Sequence, residues 1–267
     1  MLNIAVIIAA AGSSERFGEG NKLDADMAGR PVLQRTVELF VKRADVGGVV
    51  VAGPFEDEAF AGFRDRHGDK VGLLGAKLCK GGKAHRWETI KAALEHVPDD
   101  ATHIAVHDGA RPSAPQELID RVFQAAARYG AVVPAIEASD TVKRVRESAD
   151  NAGPVDPLAA ILGGGGVGES DRASTKKRVV ESTLDRVGLM LVQTPQVFEA
   201  ALLRRAYAQD DLTGTDDASL VEKLGEEVVV VEGDARNIKI TRRGDVAMAV
   251  SIMGLREPKG RASHKRF

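Results

Sequence analysis

Short apolar runs alternate with amphipathic helical patterns along the chain, and this alternation constrains the fold more than any other feature. The run "NIAVIIAA" precedes "PVLQRTVELFVKR", where apolar residues recur at helical spacing. The same order repeats as far as "AVVPAI". Strands that alternate with helices predict βαβ units, so we expect an α/β fold with a mostly parallel, doubly wound sheet. Ligands of such sheets bind beyond the carboxyl ends of the strands.

The alternation breaks between residues 137 and 185, where the sequence becomes polar and contains four consecutive glycines. Because so polar a segment cannot pack a core, we predict that residues 137–185 form an excursion from a single domain of residues 1–267. The centre of this excursion, about 148–175, is predicted to be flexible. The α/β pattern resumes after it, and residues 257–267 predict a loose basic tail.

The bulk composition narrows the class of protein. The chain has 267 residues, of which 28% are charged and 43% hydrophobic, as is usual for a globular protein with a sizeable core. A net charge of −2 gives no overall basic field, so we expect no nucleic-acid partner. The single cysteine fits a reducing compartment. The apolar N-terminus has no preceding basic region and is too short to span a bilayer, so we expect a cytoplasmic protein without a membrane partner.

The loop after the first apolar run, "AAAGSSERFGEGNK", extends from Ala9 to Lys22. Its glycine spacing fits neither a Walker A loop nor a dinucleotide fingerprint. A loop of small residues allows backbone N–H groups to surround phosphate oxygens, while Arg16 and Lys22 would neutralise charge. By itself the pattern is as typical of an ordinary surface loop, and both interpretations stay open at this point.

Three later segments supply matching groups at other predicted strand ends. "GGKAHRWET" carries two glycines, a cation and a hydroxyl; "HDGARP" carries a carboxylate and a cation; "NIKIT" carries a lysine. The residues concerned are Gly81, Gly82, Arg86, Thr89, Asp108, Arg111 and Lys239.

With these segments in order, the chain resembles the 2-C-methyl-D-erythritol 4-phosphate cytidylyltransferases of the non-mevalonate isoprenoid pathway. The resemblance extends over the chain except for about 146–180. The motifs that carry it are "AAAGSSERFGEGNK", "GG…R…T", "VHDGARP", "DTVKR", "QTPQVF", "TDDASLVEKLG" and "NIKIT". The resemblance implies a Rossmann-like nucleotidyltransferase domain with an extended arm that pairs two subunits. We therefore expect residues 137–185 to form the dimerisation arm of a homodimer.

The implied reaction joins CTP and 2-C-methyl-D-erythritol 4-phosphate, a sugar-alcohol phosphate, into the CDP-alcohol and releases pyrophosphate. The attacking group is a phosphate oxygen, which is largely ionised at pH 7 because its second pKa is about 6. No general base is then required, and catalysis depends on alignment and on stabilising charge. The resemblance assigns these catalytic roles to Arg16, Lys22 and Lys239.

Binding roles follow from the resemblance in the same way. Residues implied to bind the nucleotide are Ala9, Ala10, Ala11, Gly12, Gly81, Gly82, Arg86 and Thr89. Arg86 is either a phosphate ligand or a structural support. Residues implied to bind the acceptor are Asp108, Arg111, Thr141, Arg186, Thr194 and Thr215, with Arg111 and Thr141 reaching across the dimer. Thr215 also fits a helix N-cap. A single carboxylate, Asp108, suffices for Mg²⁺ that is otherwise held by CTP phosphates.

One departure from the family pattern lies next to Lys22. The family usually has Lys-Gln-Phe or Lys-Gln-Tyr there, whereas this chain has Leu23 and Asp24 after the lysine. The Asp24 carboxylate either weakens the attraction of Lys22 for phosphate or points outward. Two other functions stay open: a cytidylyltransferase for ribitol 5-phosphate or another sugar acceptor, and a catalytically inactive nucleotide-binding regulator.

Overall fold

A computed structural model describes residues 2–12, 14–148 and 177–256. The chain divides into two compact units, the first comprising residues 1–136 with 192–267 and the second residues 137–191. The predicted glycine-rich insertion and basic tail lie outside the described residues. The domain description made from the sequence, one domain with an arm at 137–185, stays a prediction.

Ten strands and seven α-helices are present in the described residues. The strands are β1 (Ile4–Ala9), β2 (Val46–Gly53), β3 (Lys77–Lys80), β4 (His103–Asp108), β5 (Ala131–Glu137), β6 (Lys143–Ser148), β7 (Lys177–Thr183), β8 (Met190–Val192), β9 (Gln196–Glu199) and β10 (Val229–Glu232). The helices are α1 (Val32–Glu38), α2 (Asp57–Leu73), α3 (Arg86–Leu94), α4 (Gln116–Ala126), α5 (Ala200–Ala206), α6 (Ala218–Lys223) and α7 (Arg243–Ile252).

The main sheet has the order β10-β5-β9-β4-β1-β2-β3. The pairs β1–β2, β1–β4, β2–β3 and β5–β10 are parallel, whereas β9 lies antiparallel between β4 and β5. Ala9 at the end of β1 is in register with Asp108 at the end of β4. The predicted α/β class with a mostly parallel sheet is confirmed, and the register brings two of the predicted site segments to one edge of the sheet.

Hydrophobic side chains cover both faces of this sheet. Alternate residues of β1 enter opposite clusters: Ile4 and Ile8 pack with α1, α2 and α4, whereas Ile7 packs with α3, α5 and α6. A strand buried on both faces must be apolar throughout, which explains the unbroken first run of the sequence. The core therefore lies in two layers, and the loops at the strand ends are left for binding.

Two local predictions are wrong. The run at residues 71–79 predicts one strand, but α2 continues to Leu73 and β3 begins at Lys77. Val71 belongs to the helix because it lies on the same buried face as Phe63 and His67, and Gly75 leaves the helix with a φ of +80°. Thr215 is not the N-cap of α6, because that helix begins at Ala218.

The second unit contains an antiparallel ribbon of β6 and β7. Both strands consist mostly of exposed residues, so burial does not hold the ribbon in place. Among the described helices of the whole chain, none combines the length and apolar character needed to cross a membrane.

Candidate active site

A cavity of about 420 Å³ opens beyond the carboxyl ends of β1 and β4. Its walls come from the loop after β1, from the segment between β3 and α3, from the end of β4 and from one late lysine. The lining residues are Ala9, Ala10, Ala11, Gly12, Glu15, Lys22, Leu23, Gly82, Lys83, Ala84, His85, Arg86, Thr89, Asp108, Gly109, Ala110 and Lys239. The fold thus brings together four segments that are far apart in the sequence.

Asp108, at the end of β4, is the centre of a cluster of cations. Its carboxylate lies 2.9 Å from Nζ of Lys239, 3.3 Å from Nε of Arg111 and 3.7 Å from Nε of Arg86. Burial by itself would raise the pKa of Asp108, but the charges of Lys239, Arg86 and Arg111 outweigh it and hold the pKa well below its usual range. Asp108 is therefore a carboxylate throughout the neutral pH range.

Arg86, at the first position of α3, connects this cluster to α6. Its guanidinium lies 2.7 Å from Oδ2 of Asp217, which is fully buried. The hydroxyl of Tyr207 donates a hydrogen bond of 2.6 Å to Oδ1 of the same carboxylate. Burial acts to lower the pKa of Arg86, but Asp217 and Asp108 raise it overall. Buried charges are tolerated where they are paired in this way, so the contact fits the structural role left open for Arg86.

A chain of hydrogen bonds lies behind Asp108. The backbone N–H of Asp108 donates to Oγ1 of Thr194 over 3.1 Å, and that hydroxyl donates to Nδ1 of His107 over 3.2 Å. The other ring nitrogen, Nε2, faces the carbonyl oxygen of Arg111 at 3.0 Å and is therefore assigned as its donor. Burial lowers the pKa of His107 to about 4, so the ring is neutral, as this chain of hydrogen bonds requires. Arg111 in turn donates to the carbonyl of Asn237 over 2.7 Å.

Lys22 reaches the cavity from a loop that hydrogen bonds hold on its N-terminal side. The hydroxyl of Ser14 donates to Oδ1 of Asn21 over 3.1 Å and accepts from the backbone N–H of Lys22 over 3.2 Å. Lys22 also lines a smaller cavity of about 220 Å³ together with Ser14, Glu15, Arg16 and Thr241. Burial and the nearby charges of Lys239 and Arg16 lower the pKa of Lys22, and Asp108 offsets only part of that shift.

The glycine pair before α3 is packed too tightly for any side chain. A Cβ at Gly82 would lie 2.0 Å from Cβ of Glu88, and one at Gly81 would lie 2.6 Å from the carbonyl oxygen of Gly53. The N–H of Gly82 donates to Oγ1 of Thr89 over 3.1 Å, and this hydroxyl side chain is almost fully buried. Thr89 therefore fixes the backbone of Gly82 at the wall of the cavity.

Comparison with known proteins places this arrangement in a family. A family model described as 2-C-methyl-D-erythritol 4-phosphate cytidylyltransferase matches residues 4–155 and 167–255. The chain belongs to this family. A family member from Solibacter usitatus is 33% identical over 276 residues, with 98% of this chain and 99% of the relative covered.

A relative of different length is the bifunctional enzyme IspD/IspF of Desulfotalea psychrophila, which is 34% identical. The alignment covers 97% of this chain but 58% of that protein, so the chain spans little more than half of its length. The crystal structure of the Thermus thermophilus cytidylyltransferase superposes with a TM-score of 0.65 at 30% identity, covering 95% of this chain and 100% of that one. The Rossmann-like nucleotidyltransferase fold expected from the sequence is thus confirmed.

The cavity of this cytidylyltransferase family member brings together most of the residues singled out in the sequence. Those that line it are Ala9, Ala10, Ala11, Gly12, Lys22, Gly82, Arg86, Thr89, Asp108 and Lys239. Arg16 lines the adjoining smaller cavity. Gly81 lies next to Gly82 and donates to Gly53, and Arg111 and Thr194 contact Asp108. The roles assigned to all of these residues stay predictions.

Three predicted acceptor-binding residues are not among those that line the cavity. Thr215 is exposed in the loop before α6. Thr141 and Arg186 are exposed in the second unit, where Arg186 donates a hydrogen bond to the carbonyl of Ser139. The predicted reach of Arg111 and Thr141 across a dimer also stays a prediction; within this chain Arg111 contacts Asp108 and Asn237.

Sequence reasoning missed Asp217 and Tyr207, and it missed the segment from Lys83 to His85 that lines the cavity. Asp217 was visible only as an acidic residue of "TDDASL", a pattern that fits a helix start equally well. Its pairing with Arg86 joins two residues that are remote in the sequence, and no local pattern indicates such a contact. Lys83 lies between the glycine pair and Arg86, and this position was a signal that it could line the cavity.

Candidate metal ligands are few in this part of the molecule. Among residues 2–12, 14–148 and 177–256, no three His, Cys, Asp or Glu side chains converge as a metal-binding group. Asp108 is the candidate for a single carboxylate ligand because it is held ionised, and a metal bound there would share the carboxylate with Lys239, Arg111 and Arg86. Mg²⁺ commonly binds proteins through one carboxylate with phosphates and waters completing its shell.

Proposed function

We propose that the chain transfers a cytidylyl group from CTP to 2-C-methyl-D-erythritol 4-phosphate and releases pyrophosphate. The single observation that carries this proposal is the cation-lined cavity at the carboxyl ends of β1 and β4 in a member of the cytidylyltransferase family. Lysine and arginine side chains outnumber the carboxylates in its lining, so the cavity favours a polyanion such as a triphosphate.

The reaction needs no proton transfer at the site. A phosphate oxygen of the acceptor attacks the α-phosphorus of CTP, and the bond from that phosphorus to the oxygen bridging the β-phosphate breaks. The electron pair leaves with pyrophosphate. Because the acceptor phosphate is already largely ionised near pH 7, the protein has to align the two phosphates and stabilise the charge that develops.

Lys22 and Arg16 are suited to the departing pyrophosphate, since both line the smaller cavity and Lys22 also lines the main one. Lys239, paired with Asp108, is suited to the α-phosphate region. Mg²⁺ held by Asp108 and the triphosphate would neutralise further phosphate charge. The loop from Ala9 to Gly12 and the Gly82–Thr89 contact form a backbone wall suited to the base of the nucleotide.

The remaining expectations concern the acceptor and the assembly. We propose that Thr194, Thr215 and Arg186 contact the acceptor, and that the second unit mediates a homodimer in which Thr141 and Arg111 reach the partner's substrate. We also propose that the enzyme works in the cytoplasm. Light scattering on the purified chain tests the dimer directly.

Pyrophosphate release tests the function. The purified chain is mixed with CTP, Mg²⁺ and either 2-C-methyl-D-erythritol 4-phosphate or ribitol 5-phosphate, and the nucleotide product is identified by its mass. We expect rapid release with the first acceptor and little with the second. Preference for ribitol 5-phosphate would overturn the acceptor assignment. Binding of CTP without release for either acceptor would favour a nucleotide-binding regulator instead.

A further inference from the structure

Asp24 does not face the cavity, although it follows Lys22 by only two residues. Its carboxylate is bound by two side chains of α2: Oδ1 lies 2.5 Å from Nε2 of His67, and Oδ2 lies 2.9 Å from Nε of Arg66. The carboxylate is thus turned away from the phosphate-binding side and joins the Lys22 loop, residues 14–25, to α2.

His67 is built to hold this contact. The ring is 2% exposed and packs against Phe63 with ring centroids 4.9 Å apart. Burial lowers the pKa of His67, and the charge of Asp24 offsets only part of that effect, so the ring is neutral near pH 7. Nε2 must then carry the proton that binds Asp24, and Nδ1 is buried without a hydrogen-bond partner. The hydrogen bond from Nε2 to Asp24 is therefore the one that orients the ring of His67.

The Lys22 loop is therefore fixed on both sides of the lysine. Ser14 and Asn21 hold its N-terminal side through the hydrogen bonds described above, and Asp24 holds its C-terminal side. Lys22 needs such support because burial and neighbouring cations disfavour its charge inside the cavity. With no nucleotide bound, that repulsion would push the ammonium group outward unless the backbone resisted.

We propose that Asp24 is a positioning residue for Lys22, acting through its contacts with His67 and Arg66. The inference rests on the proposed function in one respect, that Lys22 binds the triphosphate of CTP. It assigns no catalytic contact to Asp24 itself. The buried side chain of Leu23, which is 2% exposed, is the competing anchor for the same loop.

A double-mutant cycle tests this directly. CTP affinity is measured by titration calorimetry for the wild type, Asp24→Ala, Lys22→Ala and the double variant. A misplacement of about 1 Å in an active site can cost ~10²-fold in rate, and we expect a smaller loss of CTP affinity, about tenfold, in Asp24→Ala. In the Lys22→Ala background the same change should have almost no effect. An equal loss in both backgrounds would overturn the proposal, since it would show that Asp24 does not act through Lys22.

Conservative variants separate positioning from folding. His67→Gln keeps an N–H donor near the position of Nε2, whereas His67→Leu removes it. We expect CTP affinity and kcat to stay closer to wild type for the glutamine variant, with the KM for the acceptor unchanged in both. Asp65→Asn removes an exposed carboxylate from the same helix and is the matched control. If Asp24→Ala does not fold, Asp24→Asn and the two His67 variants decide, and wild-type CTP affinity in Asp24→Asn and His67→Leu would assign the anchoring to Leu23.

The wild-type assay keeps this result distinct from failure of the proposed function. Pyrophosphate release by the wild type with unchanged CTP affinity in the Asp24 variants would remove the positioning role alone. Absence of release with every acceptor would remove the proposed function, while the CTP-binding cycle would still measure the coupling of Asp24 to Lys22.

Discussion

The two sides of the candidate site differ in how their charges are balanced. On one side, here called the Asp108 side, Lys239, Arg111 and Arg86 surround a carboxylate, and Arg86 has a second one in Asp217. On the other side, the Lys22 loop of residues 14–25, burial and other cations depress the pKa of Lys22. On the first side two carboxylates offset most of the charge of three cations, whereas on the second Asp108 offsets only part of the shift at Lys22.

This difference distinguishes the residues that stabilise the fold from the residues that bind the nucleotide. A polyanion that enters the cavity gains little from arginines already paired with carboxylates, because it must compete with those pairs. It gains more near Lys22, where it relieves repulsion between cations. We therefore expect substitution of Asp217, which pairs with Arg86 and does not line the cavity, to act mainly on folding, and substitution of Lys22 to act mainly on nucleotide binding and turnover.

The largest effect is expected for Asp217→Ala. Removing this carboxylate leaves Arg86 and the hydroxyl of Tyr207 without the partner they share. Loss of one member of a buried ion pair costs about 3–5 kcal/mol of folding free energy. Urea unfolding followed by circular dichroism measures this loss.

Tyr207→Phe is the graded control for that experiment, because it removes only the hydrogen bond to Asp217. Hydrogen bonds to charged groups are worth about 1.5–3 kcal/mol, so its loss should be smaller than that of Asp217→Ala. If Asp217→Ala unfolds at the same urea concentration as the wild type, the contacts of Asp217 with Arg86 and Tyr207 do not stabilise the fold as we expect.

Lys22→Ala should show the opposite pattern. A missing donor aimed at transition-state charge costs roughly 10²–10³ in kcat, so we expect turnover to fall by that factor. Burial and neighbouring cations disfavour the charge of Lys22, so its removal should not lower the urea midpoint of unfolding. Pyrophosphate release and urea unfolding on the same sample make the comparison. Near-normal turnover in the folded variant would remove the catalytic role of Lys22.

How far the sequence predicts this molecule depends on the range of the interactions involved. The order of strands and helices follows from local periodicity, and the carboxyl ends of β1 and β4 are where a parallel sheet would place a ligand. Lys22 and Asp108 are therefore site candidates from the strand pattern, and Lys239 is one from the family resemblance. The boundary between α2 and β3 is not predictable in this way, because a run such as "VGLLGAKLC" fits a helix end and a strand equally well.

The contacts that hold the candidate site in place are beyond such reasoning. In the sequence Asp24 looks like a disturbing charge beside Lys22, and only the packing of α2 shows that it binds His67 and Arg66 instead. Asp217 likewise gains its meaning from Arg86, which is remote in sequence. Pairings of this kind depend on tertiary geometry, for which neither periodicity nor spacing carries a signal.

The smallest expected effect is the pH dependence of folding stability that arises from His67, which contacts the Lys22 loop through Asp24. The pKa of folded His67 lies below the value of about 6.5 that holds for an unfolded histidine. The unfolded chain therefore binds more protons than the folded chain as pH falls through 6.5, and folding stability decreases in that direction. Asp24 offsets part of the shift, which keeps the effect small.

We expect His67→Gln to lose less stability than the wild type between pH 7 and pH 5, measured by urea unfolding at each pH. His103 and His107, whose pKa values burial also lowers, are present in both proteins, so the difference between them isolates His67. Identical pH dependence in the two proteins would mean that His67 does not titrate against its burial, and the neutral Nε2–H donor assigned to the Asp24 contact would then be wrong.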